Sequence, residues 1–313
     1  MDKNQLKLEI ERMRKEKNAV ILAHYYTEPD VQDIADFVGD SLALAQQAAK
    51  TDADIIIMCG VHFMGETCKI LCPKKKVIVP DMEAGCSLAD SCKAEELKAY
   101  IDEHPGYKVV SYVNTSAEVK ALSDVVVTSS NAQKVVDSYA KDEKLIFGPD
   151  HNLGEYINST TDRQMLLWNG GCHVHGRFSL EGILQLKKAH PKAKVLVHPE
   201  CPAAIQAVAD KIGSTAGLLN FSKQDDASEY IVVTESGILH KMTEACPDKT
   251  FIPAPPETTE GIGCSCNECS FMRLNTLEKL HHALKTEQPE ILISDELIEA
   301  AVKPIKKMLE LSK

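Results

Sequence analysis

The chain has 313 residues, 44% hydrophobic and 26% charged, with a formal net charge of −11. That acidic balance argues against a nucleic-acid partner, which requires a basic face, and the apolar runs, such as residues 54–59, are far too short to span a bilayer. Eleven cysteines without a signal-peptide core point to reduced thiols in a cytoplasmic protein, not to structural disulfides.

In chain order, residues 1–18 carry a charged amphipathic helical pattern. Three units of alternating strands and helices follow. Strand starts are expected near Ala19, Ala35, Asp54 and Lys76, then near Lys108, Asp124, Lys144 and Gln164, then near Lys194, Asp210, Tyr230 and Thr250. The strands are short apolar runs such as Lys108-Val109-Val110-Ser111-Tyr112, suited to burial on both faces. Alternation of this kind implies parallel sheets with right-handed crossovers. The expected fold is α/β: three pseudo-threefold-related α/β/α sandwich domains around a central active site. The expected boundaries are 1–105, 106–192 and 193–262, with 263–313 packing on the repeats. Residues 94–106 and 187–193 are read as linkers. Two helices close the chain, one beginning at Asn275-Thr276-Leu277-Glu278 and one capped by Ser294, with a kink expected at Pro304.

The three units repeat in detail, and a repeat at fixed period reports architecture before any single motif does. Asp36, Asp124 and Asp210 each precede a hydroxyl by five residues: Ser41, Ser129 and Thr215. Twelve residues before each Asp an apolar run ends at His24, Tyr112 or His198, and two residues further on lie Tyr26, Asn114 and Glu200. Each unit also has a Gly-Cys pair: Gly85-Cys86, Gly171-Cys172 and Gly263-Cys264. Ligands in open α/β sheets bind beyond the carboxyl ends of the strands. The repeat therefore predicts one central pocket fed with polar groups and a thiol by each unit.

Free cysteines are usually buried apolar fillers, and Cys59, Cys68, Cys72, Cys92 and Cys246 are read that way. Three thiols from three units form a different set. An iron–sulfur cube is normally held by four thiolates. Held by three it keeps one open iron, a Lewis acid suited to dehydration. A zinc site within Cys264-Ser265-Cys266-Asn267-Glu268-Cys269 lacks a second ligand pair nearby.

The stretches His24-Tyr25-Tyr26, Gly85-Cys86-Ser87, Ser111-Tyr112-Val113-Asn114-Thr115, Thr128-Ser129-Ser130-Asn131, Gly171-Cys172-His173-Val174-His175, His198-Pro199-Glu200-Cys201, Gly213-Ser214-Thr215 and Cys269-Ser270-Phe271-Met272-Arg273-Leu274-Asn275-Thr276-Leu277 together resemble the quinolinate synthase family. The resemblance implies a three-domain α/β/α architecture and a [4Fe–4S] cluster on Cys86, Cys172 and Cys269. Repeat spacing alone points to Cys264 as readily as to Cys269. The chain has Cys-x-Cys-x-x-Cys where many bacterial members have Cys-x-x-Cys-x-x-Cys, which leaves Cys264 and Cys266 as spare thiols. The implied reaction condenses iminoaspartate with dihydroxyacetone phosphate to quinolinate for NAD synthesis, with an aspartate-oxidising enzyme as the implied source of iminoaspartate.

The substrate-binding positions implied by the resemblance are His24, Ser41, Tyr112, Val113, Asn114, Ser129, His198, Pro199, Glu200 and Thr215. Glu200 is the expected general base, aided by His198, with Tyr26 relaying protons across the pocket. His173, His175 and Arg177 are candidates for the phosphate. Neither a G-x-x-x-x-G-K-[ST] loop nor a G-x-G-x-x-G fingerprint is present, so no nucleotide is expected. The competing readings are another open-iron hydro-lyase acting on a hydroxy-acid, and a metal sensor or electron carrier. The latter would want four protein ligands and no convergent polar groups.

Overall fold

The computed structural model describes residues 1–257 and 267–312. Twelve short strands form three four-stranded sheets. The first holds β1 (Ala19–His24), β2 (Phe37–Gly39), β3 (Ile55–Cys59) and β4 (Lys76–Ile78). The second holds β5 (Lys108–Tyr112), β6 (Val125–Val127), β7 (Leu145–Gly148) and β8 (Leu166–Leu167), and the third β9 (Lys194–Val197), β10 (Lys211–Ile212), β11 (Glu229–Val233) and β12 (Thr250–Pro253). Every pairing within them is parallel. The orders β2-β1-β3-β4, β6-β5-β7-β8 and β10-β9-β11-β12 are the same topology three times. Each expected strand start falls within two residues of an observed one.

The repeated aspartates explain part of this regularity. The carboxylates of Asp36, Asp124 and Asp210 accept from the backbone N–H of Ile21, Val109 and Val195, at 2.8 Å in all three sheets. The aspartate N–H donates back to the carbonyl of the same residue at 2.9 Å. Each aspartate thus ties its sheet's first strand to the start of its second, far from the carboxyl ends. It is a structural pin, whereas the hydroxyl five residues later reaches the functional end.

Alternate residues of β1 feed two different cores, as the period-two geometry of a strand demands. Val20 and Leu22 join a large interior cluster that collects residues from all three sheets. Ala19, Ile21 and Ala23 face outward beneath helix Lys3–Glu16, through its Leu6, Ile10 and Met13, and helix Leu277–Thr286. The third sheet repeats the arrangement, with Leu196 and Val232 turned inward and Val195, Val197, Ile231 and Val233 packed beneath Ile183. Burial on both faces accounts for the near-continuous apolar character of these strands.

One local expectation is corrected. Residues Ala94–Glu103, read as linker, form a helix that buries Leu97 and carries Glu95 and Glu96 in its first turn, where acidic groups favour the helix dipole. Only its end behaves as a turn, at Gly106 with φ +85°. A single helix, Asp295–Leu311, runs through Pro304, with Ile298, Ala301, Ile305 and Met308 buried around it. That apolar stripe offsets the one hydrogen bond proline forfeits. No helix among the described residues is long and apolar enough to cross a membrane.

Glu287 closes helix Leu277–Thr286 in a left-handed cap, and its carboxylate accepts from Lys17 at 2.6 Å and Lys76 at 2.5 Å. These bonds lower its pKa from the ordinary 4.5 to about 2. A depressed carboxyl contributes stability that is full above the unfolded value and fades as the pH falls towards the folded one. Glu287→Gln is therefore expected to melt below the wild type at neutral pH, with the two melting temperatures converging between about pH 4.5 and 2. Parallel melting curves across that window would contradict the assignment.

Candidate active site

The chain runs from the first strand of each sheet to a neighbour on one side and then crosses to the other, making a topological switch point at the carboxyl ends of β1, β5 and β9. His24 and Tyr112 end β1 and β5, and His198 directly follows β9. All three line one cavity, together with Tyr26, Asn114 and Glu200. The two histidines are built alike. Nδ1 of His24 accepts from the N–H of Tyr26 at 3.2 Å, and Nδ1 of His198 from the N–H of Glu200 at 3.3 Å. Burial pushes both pKa values down to about 3. Each is thus a neutral ring with its hydrogen on Nε2, a donor suited to an anionic oxygen.

The hydroxyls sit at helix starts. Ser41 begins helix Ser41–Lys50 behind its cap Asp40, and Thr215 begins helix Thr215–Gln224 behind its cap Ser214. Ser129 lies in the turn before helix Ala132–Asp137. Ser130 joins the three starts: its Oγ donates to Asp40 at 2.7 Å and lies 2.8 Å from Ser214 Oγ. Ser41, Ser129 and Thr215 all line the cavity. No lysine or arginine does so among the described residues. Favourable potential for an anion comes from helix starts and imidazole N–H groups instead.

Cys86, Cys172 and Cys269 also line this cavity. Each follows the fourth strand of its own sheet. The other six described cysteines are buried elsewhere. Burial pushes the Cys86 thiol up to about 12 and Cys269 up to about 11, and raises Cys172 well above the ordinary value. Three half-buried thiols lining one cavity gain little as free thiolates, whereas a bound metal group compensates their charge. The donor set fits an iron–sulfur cluster, which takes thiolate ligands. Cys264 and Cys266 lie outside the described residues.

Glu200 is buried among these groups. Its Oε1 accepts from Tyr112 Oη at 2.5 Å, and its Oε2 lies 2.9 Å from His175 Nδ1. Burial opposes its charge, yet His175 and His198 hold the carboxyl below the usual range. His175 Nδ1 is also 3.3 Å from Cys172 Sγ. Of the three groups proposed for phosphate, His173 and His175 line the cavity, His175 with its Nδ1 on Glu200, and Arg177 is exposed. Val113 and Pro199 are buried but do not line the cavity.

Two carboxylates escaped the sequence reading. Glu235, fully buried just beyond β11, accepts from the N–H of Cys269 and from Arg273, both at 3.1 Å, and so clamps the last cysteine onto the third sheet. Its only sequence signal is a charged residue two positions after an apolar strand. Asp150 is fully buried beside helix His151–Thr161, which it caps through the N–H of Leu153 at 2.7 Å. Val61, Phe63, Phe271 and Met272 supply an apolar wall.

Residues 8–310 match the family described as NadA: Quinolinate synthetase A protein. The chain is 54% identical to the quinolinate synthase of Trichormus variabilis, over 97% of this chain and 92% of that protein. It is equally similar, at 54%, to the quinolinate synthases of Thermosynechococcus vestitus and Chloroherpeton thalassium, over 97% of this chain and 94% of each relative. A match of this extent, joined to a cavity in which three thiols meet a buried carboxylate, places the chain in the quinolinate synthetase A family.

Proposed function

We propose that the protein condenses iminoaspartate with dihydroxyacetone phosphate to give quinolinate, phosphate and water, in the cytoplasm, as a step of NAD biosynthesis. Atoms balance with two molecules of water released, and no oxidant is needed. The observation that carries this reading is the convergence of Cys86, Cys172 and Cys269, one from beyond each sheet, on the cavity that holds Glu200. These three cysteines would hold a [4Fe–4S] cluster. When bound, it supplies an iron with a free position, a Lewis acid for a leaving hydroxyl or a carboxylate oxygen.

The remaining work falls to the chain's own side chains. His24 and His198, as neutral N–H donors, and the helix starts at Ser41 and Thr215 receive the carboxylates of iminoaspartate. Asn114 and Ser129 add neutral hydrogen bonds that orient without fixing charge. Glu200 takes the proton next to the carbonyl or imine, with Tyr112 holding its other oxygen. Tyr26, on another part of the wall, relays protons during the losses of water. The apolar wall of Phe63, Phe271 and Met272 limits bulk water, which would hydrolyse an imine. An aspartate-oxidising enzyme supplies the iminoaspartate.

The test is direct. Protein purified without oxygen, given dihydroxyacetone phosphate and freshly generated iminoaspartate, is expected to form quinolinate and phosphate in equal amounts. Protein that carries its full complement of iron and forms neither product would reject the reading.

A further inference from the structure

Along the cavity wall, side chains from all three sheets form one unbroken hydrogen-bonded path, with Thr234 behind it. Tyr26 Oη lies 2.6 Å from Thr215 Oγ1 and 2.8 Å from Thr234 Oγ1. Thr234 Oγ1 lies 2.9 Å from His175 Nε2, and His175 Nδ1 lies 2.9 Å from Glu200 Oε2. Glu200 Oε1 completes the path to Tyr112. Thr234, directly after β11 and 2% exposed, is the link between the Tyr26 side and the Glu200 side. It does not line the cavity. A threonine hydroxyl has one hydrogen and two lone pairs, so it serves Tyr26 and His175 at once.

We propose that Thr234 is a positioning residue for the reaction: its hydroxyl locks the Tyr26 phenol and the His175 ring in register, and through His175 it fixes the second oxygen of Glu200. The inference rests on Tyr26 and Glu200 being the reacting groups proposed above. Valine matches threonine in shape and removes only this hydroxyl. In Thr234→Val the His175 Nε2 loses its partner and Tyr26 keeps Thr215 alone. Networks of this kind are worth more than their separate bonds, and the coupling shows when links are cut singly and together.

The experiment compares wild type, Thr234→Val and Thr234→Ser, each with iron content confirmed. Removing a supporting partner of this type lowers function about 10- to 100-fold. That loss is expected in kcat for Thr234→Val, with KM and iron unchanged, and Thr234→Ser is expected to restore the rate. Equal kcat in Thr234→Val and wild type, or a serine variant no better than valine, overturns the proposal. A stability cycle with Tyr26→Phe gives a readout independent of turnover: the double variant should lose less than the sum of the two single losses. Strict additivity overturns the link. Should wild type form no quinolinate, the proposed reaction fails while this cycle still decides whether the hydroxyl joins the two side chains.

Discussion

Alanine at Cys86, Cys172 or Cys269 is expected to abolish the cluster in each single variant, read as loss of iron, of sulfide and of visible absorbance after purification without oxygen. The physical case is that all three thiols face one cavity, and burial makes each an unwilling thiolate until a metal group compensates the charge. Ligand binding to the folded state alone also adds stability by mass action, so each variant should melt at a lower temperature than the loaded wild type. Cys201→Ala is the matched control. Cys201 neighbours Glu200 in sequence but is buried against the outer core of the third sheet, away from the cavity. It should keep its iron. Cys264→Ala and Cys266→Ala should keep theirs as well. Iron retained in Cys269→Ala and lost in Cys264→Ala would transfer the third ligand to the other cysteine.

Glu200→Gln is expected to retain iron and to lower kcat by about 10²- to 10⁴-fold, the usual contribution of a positioned general base. Three buried carboxylates line the cavity, Asp40, Glu200 and Glu235; Asp40 is taken up as a helix cap, and the surroundings of the other two separate their roles. Glu235 accepts from Cys269, Gly237 and Arg273, and burial still raises its pKa to about 8. It acts as a clamp on the last cysteine. Glu200 is held below the ordinary range, in the basic form, with one oxygen on Tyr112 and the other near His175. Glutamine keeps its shape and an acceptor oxygen but cannot take up a proton. A Glu200→Gln enzyme running at more than half the wild-type rate would remove this residue from the chemistry.

Twelve strand starts were legible because a buried parallel strand needs a short apolar run and little else. His24, Tyr112 and His198 were legible for a related reason: the same topology, used three times, brings the same strand end to the switch point. The helix at Ala94–Glu103 was read as linker although Ala94, Leu97 and Ile101 recur at helical spacing and pack on one small cluster. The repeated aspartates drew attention with the hydroxyls, yet their carboxylates serve backbone N–H groups at the opposite end of the strands.

Local pattern, acting over a few residues at a time, was enough to specify three like sheets and to nominate the polar residues at their ends. The inward turn of His175 onto Glu200, the choice of Glu235 as the clamp on Cys269 and the service of Thr234 to two partners needed the folded chain. Those contacts join residues 25 to 208 positions apart. Strand periodicity is a property of neighbours, whereas a hydrogen bond depends on distances that only the packing of three sheets against one another establishes.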